Sequence, residues 1–559
     1  MHTELGQYPM RARTRLAHLL GAWTLLFLGN PGLPGGPLTA TLGLIWLAAA
    51  SLLPTAPAPR TGWRSWRLWT DWLAAAVGLS AQCFWSTKVL WITLLAVAIV
   101  PGVYYAVAAM LARRLVRVGV PLAFASAYTA LEIARTQLEP PFAFGWMRTA
   151  HYYAELHVAP LRVLGAAGFS FVVLYAAGAL AWPWIQREVR PRRALGHAGA
   201  ALAVLVLAGL VTSPAPTETV GRALLVQPSF EQRRKMEPRS AQELFRESLQ
   251  LTREGLTAHG PVDLVAWGET TLPYLLAEPG LDAAAAAGAR SPEWARYQLD
   301  ERDMQTLHEN ERAVLRLLQT GKTPILAPGT IYLAGAEELR LIDGWVRRTN
   351  AVIVWQNGQR LGRGGKLHLV PGAESLAGLE RVGLVRDTAF ALAGYIPDLA
   401  AEPDVAVVDL PLRSGRSVRA ALSVCFDNSF EDVYARGTAQ GAELHIVVSN
   451  EAWYEESFEY DQMIAFSRVA AAETGRALLR ATNAGVSALV HPDGRVERLE
   501  IDGRDRMVRG TLAVDLPVPV RAAAGELPRT VYSRLRLMWL WGLALAPLAL
   551  LGYLRWRSR

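Results

Sequence analysis

Hydrophobic and polar positions follow two different rules along this chain. Over residues 1–212 apolar residues come in long, almost unbroken stretches, near 15–30, 38–54, 69–86, 89–111, 118–138, 158–185 and 194–212. One more such stretch, "LRLMWLWGLALAPLALLGYL", lies near 535–554. About 20 mostly apolar residues cross the hydrocarbon layer as a helix, so the pattern predicts seven membrane spans, a long interruption and an eighth. A few charges fall inside these stretches. Asp71 is one; Glu132 and Arg135, one helical turn apart in "ALEIARTQL", are two more. Such groups are costly at membrane depth unless paired or facing a polar cavity, and the last two are read as a pair at the interface.

From 213 to 534 the period shortens. β-rich runs such as "RALLVQPS", "VDLVAWGE", "TPILAPGTIYL", "VRAALSVCF" and "ELHIVVSN" alternate with amphipathic pieces such as "SAQELFRESLQLTREGL" and "YDQMIAFSRVAAAETG". Valine-, isoleucine- and leucine-rich strands separated by helices predict a layered α/β domain with one core. The "QNGQ" and "PDGR" turns predict β-hairpins within it. The alanine-rich stretch 280–303 reads as an insertion. The expected organisation is therefore a membrane bundle over 1–212, an α/β domain over 213–534, and a final span with a short tail over 535–559.

Composition adds direction to this picture. Hydrophobic residues make up 52% of the 559 residues, and the net charge is +8. The basic residues do not form a nucleic-acid stripe; they cluster beside the apolar stretches. Arg11, Arg13 and Arg15 precede the first, Arg60, Arg64 and Arg67 follow the second, Arg113, Arg114 and Arg117 the fourth, and Arg187, Arg190, Arg192 and Arg193 the sixth. Arg555, Arg557 and Arg559 follow the last. Because positive loops face the cytoplasm, both termini are expected there and 213–534 outside it. The first stretch lacks a small-residue cleavage site and is followed by further spans, so it is not read as a removable signal. Arginine is the default cation: the only lysines are Lys88, Lys235, Lys322 and Lys366. Two distant cysteines, Cys83 and Cys425, make neither a disulfide framework nor a zinc site. His151, His445 and His491 have no metal-ligand spacing, so neither metal nor cofactor is expected. "GRGGK" lacks the first glycine and the Ser/Thr of a phosphate loop.

Three residues share one position, at or just beyond a strand end: Glu269 closing "VDLVAWGE", Lys366 in "GRGGKLHLV" and Cys425 closing "AALSVCF". A thiol near its ordinary pKa of about 8.5 needs a base or a cation to become a nucleophile. A carboxylate can take that proton and return it. An ammonium can stabilise the thiolate and the oxyanion formed when it attacks a carbonyl. Any one of them alone is a weak signal; the three together are a coherent set.

At these residues the chain resembles the nitrilase (carbon–nitrogen hydrolase) superfamily, whose domain is an α-β-β-α sandwich carrying a Glu-Lys-Cys triad. With its membrane stretches the whole chain resembles the apolipoprotein N-acyltransferase family. "KLHLVPGAE" is similar to that family's lysine motif, with Glu374 at the place of its second active-site glutamate. "SNEAW" is similar to its Asn-Asp-x-Trp segment, which places Trp453 at a lipid-facing pocket. Departures are visible: Asp427 stands where the family commonly has glutamate, Phe426 where it has tyrosine, and Tyr454-Glu455 where it has Phe-Gly.

The resemblance implies a multi-pass protein of the bacterial cytoplasmic (inner) membrane with its catalytic domain facing the periplasm, acting as a monomer. It implies Cys425 as acylated nucleophile, Glu269 as general base, Lys366 as oxyanion partner, and Glu374, Asp427 and Trp453 in support. The implied donor is a phospholipid and the implied acceptor the amino terminus of a diacylglyceryl-cysteine lipoprotein. A membrane-tethered amidase, an acyltransferase with another amine acceptor, and a catalytically silent relative that binds lipid or protein remain as alternatives. His368 is read as orienting backbone or Glu374, and 279–300 and 454–460 as candidate lids.

Overall fold

The structure is a computed structural model; it describes residues 10–54, 65–89, 93–138, 145–292, 301–376, 378–393 and 396–558. Arg60, Arg64, part of the loop before Gly145, and 293–300 of the insertion lie outside the described residues. The chain divides into two compact units, Met1–Ser213 with Thr530–Arg559, and Pro214–Arg529.

The first unit is helical. Its main helices are Ala12–Leu28, Gly36–Leu52, Trp66–Gln82, Thr93–Leu115, Val120–Gln137, Leu161–Ile185, Pro191–Leu210 and Val531–Arg557, one for each apolar stretch of the sequence. Pro37, Pro121 and Pro191 stand in first turns, where a missing N–H costs nothing. Ile99–Val118, Leu161–Ile185, Pro191–Leu210 and Val531–Arg557 are long and apolar enough to cross a membrane, while Gly36–Leu52 is apolar but shorter.

Several of the buried charges in this unit have specific partners. Asp71 bridges Arg15 at 2.6 Å and Arg113 at 2.8 Å, tying three helices together. Glu132 does not pair with Arg135 as expected. Its carboxylate accepts from the Thr149 amide (3.0 Å) and hydroxyl (2.7 Å), and Arg135 donates to the Met147 carbonyl. A non-helical segment buried here carries polar backbone that must be satisfied, and these two side chains satisfy it.

The second unit is a two-sheet sandwich. Its strands are β1 (Thr217–Gln227), β2 (Leu264–Trp267), β3 (Leu276–Ala277), β4 (Ile331–Ile342), β5 (Trp345–Gln356), β6 (Gln359–Gly365), β7 (Ala406–Pro411), β8 (Ser417–Val424), β9 (Leu444–Ser449), β10 (Ala477–Thr482), β11 (Ala488–Val490), β12 (Val496–Arg498) and β13 (Gly510–Pro519). One sheet runs β13-β1-β2-β4-β5-β6 with β3 beside β4; the other runs β12-β11-β10-β9-β8-β7. β1, β2 and β4 are parallel, as are β8, β9 and β10, and the flanking pairs are antiparallel.

Both predicted hairpins form. Asn357 and Gly358, both at positive φ, make the two-residue turn between β5 and β6 that a right-handed strand twist favours; "PDGR" joins β11 and β12. A further Asp343-Gly344 turn of the same kind joins β4 and β5, which are longer than the sequence pattern suggested.

Alternate residues divide the layers. Leu225, Ala266, Leu333 and Val352 meet Ala420, Leu422, Val448 and Leu479 between the sheets. On the other face of the first sheet, Leu224, Val265 and Trp267 pack with Phe245 and Leu249 of the helix Ala241–His259. Helices Glu431–Ala439 and Glu459–Thr474 cover the second sheet, touching it through Tyr434 on His445 and Ser467 on Arg480. This is the α-β-β-α sandwich that the resemblance implied.

Candidate active site

Glu269, Lys366 and Cys425 are gathered at neighbouring strand ends, two from one sheet and one from the other. β2 stops at Trp267, and the turn Gly268–Glu269–Thr270 bends its carboxylate inward. The bend is stitched on both sides: the Glu269 amide donates to the Ser449 carbonyl (3.2 Å) at the end of β9, and the Gly335 amide to the Gly268 carbonyl (3.2 Å). Gly335 permits this approach, because a Cβ there would stand 2.5 Å from the Cα of Glu269.

Lys366 follows β6 directly. Its amide donates to the Asn350 carbonyl (2.9 Å), and its Nζ sits 2.7 Å from Glu374 Oε1 and 3.6 Å from Glu269 Oε1. Glu374 is fixed in turn, its Oε2 accepting from the Val370 amide at 2.8 Å.

Cys425 leaves β8 with φ of 51°. Non-glycine residues seldom adopt this conformation, and it is retained where surrounding structure enforces it. Much of that enforcement comes from Asp427. Its carboxylate accepts from the amides of Val424 (3.1 Å), Leu367 (3.1 Å) and His368 (2.8 Å), so one side chain ties the cysteine turn to the lysine segment. Asn428 anchors the same turn to both helices behind it, donating to Met463 O (2.8 Å) and accepting from the hydroxyls of Tyr434 and Ser467.

The electrostatics match a resting thiol beside a basic carboxylate. Burial, then the charge of Glu269, push the Cys425 thiol well above its usual value, while Lys366 opposes them. Burial raises the Glu269 carboxyl against the pull of Lys366 and the Asn350 hydrogen bond. For Lys366 burial works to lower the ammonium, but Cys425, Glu374 and Glu269 together hold it above its ordinary value. A carboxyl of raised proton affinity is suited to accept a thiol proton, and a firmly charged ammonium to meet an oxyanion. Burial also raises Asp427, to about 6.

Beside the three lies a cavity of about 690 Å³. Glu269, Asn350, Glu374 and Trp453 form part of its wall, with apolar contributions from Phe230, Leu244 and Leu272. Cys425 and Lys366 are almost fully buried, 7% and 1% exposed, and stand behind that wall rather than in it. His368 departs from expectation: its ring stacks on Phe430 at 3.7 Å and faces Asp432 at 3.2 Å, not Glu374.

Two residues of the site escaped the reading of the sequence. Asn350, on β5, donates to Glu269 Oε1 (2.7 Å) and reaches Glu374 Oε1 (3.4 Å), joining both carboxylates. Its only signal was a polar Thr-Asn pair leading into the apolar run "AVIVW". Lys235 donates to the Glu269 carbonyl (3.1 Å) and the Thr270 hydroxyl (2.9 Å) and lines the cavity. Its rarity was the signal: two of the four lysines of an arginine-rich chain meet here.

The model of the carbon-nitrogen hydrolase family matches residues 227–518, from the end of β1 to β13, more than half of the chain. The chain belongs to the carbon–nitrogen hydrolase family. Apolipoprotein N-acyltransferases are among the curated relatives whose match extends beyond this domain. The apolipoprotein N-acyltransferase of Rhizobium meliloti is 25% identical over 495 residues, 85% of this chain and 80% of that protein. That of Azotobacter vinelandii is 28% identical over 514 residues, 84% of this chain and 88% of the other. An amidase from Nesterenkonia sp. of known structure aligns with 55% of this chain and 93% of its own at 15% identity, with a TM-score of 0.31. This carbon–nitrogen hydrolase is thus an enzyme of the acyltransferase kind and a divergent relative of the apolipoprotein N-acyltransferases.

Proposed function

We propose that the chain transfers a fatty acyl group from a phospholipid, through a thioester on Cys425, to the N-terminal amine of a diacylglyceryl-cysteine lipoprotein. The observation that carries this reading is the convergence of a basic carboxylate, a fixed ammonium and a buried thiol beside a part-apolar cavity, in a chain that also holds a set of long apolar helices. In the first step Glu269 takes the Cys425 proton, sulfur bonds to the ester carbonyl carbon, and Lys366 faces the resulting oxyanion. Collapse breaks the ester C–O bond, and the proton held by Glu269 passes to the departing glyceryl oxygen, giving a lysophospholipid. In the second step the amine nitrogen bonds to the thioester carbon, the C–S bond breaks, and an amine proton returns through Glu269 to sulfur.

In this reading Glu374 and Asn350 hold Lys366 and Glu269 in register, Asp427 sets the cysteine turn, and Trp453 borders the lipid chain. The arginine clusters favour a place in the bacterial inner membrane with the catalytic unit on the periplasmic side. The resemblance of the whole chain to N-acyltransferases favours an amine rather than water as the second acceptor.

Intact-mass measurement of protein purified from membranes tests the reading. A fatty-acyl adduct on Cys425, absent from Cys425→Ala, is expected, and so is rescue of a strain lacking lipoprotein N-acylation by the wild-type chain alone. Hydrolysis of soluble amides with no acyl adduct would assign the chain to the tethered amidases.

A further inference from the structure

The cavity wall holds two cations, Lys235 and Arg348, and they differ in a way that matters for an acidic ligand. Arg348 is committed, to Glu337 at 3.0 Å and Asp398 at 2.6 Å. Lys235 makes no ion pair among the described residues. Its half-buried ammonium is held by two neutral oxygens, the Glu269 carbonyl and the Thr270 hydroxyl. An ammonium has three donors, so one is left without a protein acceptor among the described residues. Burial lowers Lys235 to about 8, which still leaves it largely cationic at neutral pH.

The rest of the wall is unfriendly to anions. Glu237, Glu269, Glu337, Glu374 and Asp398 contribute carboxylates, and with Arg348 already paired an approaching monoanion meets its best contact among the described residues at Lys235. A half-buried cation with a spare donor, in a wall whose other charges are spoken for, has the character of a ligand contact; the low effective dielectric of such a site strengthens it. Its attachment to the backbone of Glu269 places it beside the general base. In a glycerophospholipid the phosphate and the nearer ester carbonyl are only a few bonds apart. Holding the one at Lys235 therefore brings the other toward the Glu269–Cys425 pair, which is catalysis by positioning.

Building on the acyl-transfer reading above, we propose that Lys235 binds the phosphodiester of the acyl donor and so selects phosphate-bearing lipids over neutral esters. Lys235 is then a specificity residue that touches the part of the substrate that does not react.

The test compares donors on the full-length protein in detergent, following acylation of Cys425 by intact mass. The donors are phosphatidylethanolamine and a neutral ester, dioleoylglycerol or p-nitrophenyl butyrate. The expected result is that Lys235→Met lowers the ratio of phospholipid to neutral-ester acylation at least tenfold, and that Lys235→Arg restores much of it. A proportionate fall with both kinds of donor would make Lys235 a mere strut for the Glu269 turn and would overturn the proposal, as would an unchanged ratio. Inorganic phosphate at millimolar concentration is expected to leave wild-type acylation unaffected. Inhibition by it in the wild type but not in Lys235→Met would transfer the site to free phosphate and overturn the lipid assignment. A wild-type protein that forms no thioester with any donor would instead defeat the acyl-transfer reading itself, so the two failures are distinguishable.

Discussion

Cys425 is held in a backbone conformation that side-chain-bearing residues avoid, between a carboxyl of raised proton affinity and an ammonium that stays charged. A general base works only when deprotonated, so acylation is expected to fall as pH drops through the raised Glu269 value, with an acid limb above the ordinary carboxylate range of about 4.3. Lys366, held above its usual value, adds no alkaline limb near neutrality. Asn350 favours the charged form of Glu269 through its 2.7 Å hydrogen bond. Asn350→Ala should therefore move the acid limb to higher pH, measured as the pH profile of Cys425 acylation; an unmoved limb would remove Asn350 from the electrostatics of the site. The convergence of Glu269, Lys366 and Cys425 was legible in the sequence because each stands at the close of a recognisable strand. Asn350 was not, since a polar residue in mid-strand looks the same whether it serves a neighbour or merely begins a run.

Among elements, the turn carrying Cys425 and the segment carrying Lys366 depend on one another through Asp427. An amide in its place would present an NH₂ to backbone donors that need acceptors. Asp427→Asn is expected to cost about 1–3 kcal/mol, the range for a buried donor left unsatisfied, seen as a lowered denaturation midpoint of the full-length protein together with slower acylation. Asp427→Glu, the residue common in the family resembled, should retain more of both. The turns at "QNGQ" and "PDGR" were readable because left-handed backbone is needed at Asn357, Gly358 and Gly494, which Asn-Gly and Asp-Gly pairs readily supply. The β4–β5 hairpin was harder to see: its "AEELRLIDGWVRRTN" strands alternate charge with apolar residues, and those charges find partners in distant parts of the chain, Glu338 on Arg360 and Arg363, Arg340 on Glu278 and Glu402, Arg348 on Asp398.

For the whole molecule, the helical unit was legible from apolar length alone, and its charges were not. Asp71 neutralises two arginines on different helices, an arrangement no local pattern reveals. Removing one member of a buried ion cluster costs about 3–5 kcal/mol because the partner charges remain. Asp71→Asn should accordingly lower the melting temperature of the detergent-solubilised protein, and joint replacement of Asp71, Arg15 and Arg113 by leucine should recover part of the loss. An unchanged melting temperature in Asp71→Asn would show that the arginines find other acceptors.

The site draws its carboxyl and its sulfur from opposite halves of the sandwich, Glu269 at the rim of one sheet and Cys425 at the rim of the other. Their spacing is accordingly a property of the greasy layer between, where Leu225, Val352, Leu422 and Val448 interlock. That layer acts as a gauge block: trimming one of its methyl groups, far from any substrate, would detune the distance on which proton transfer depends.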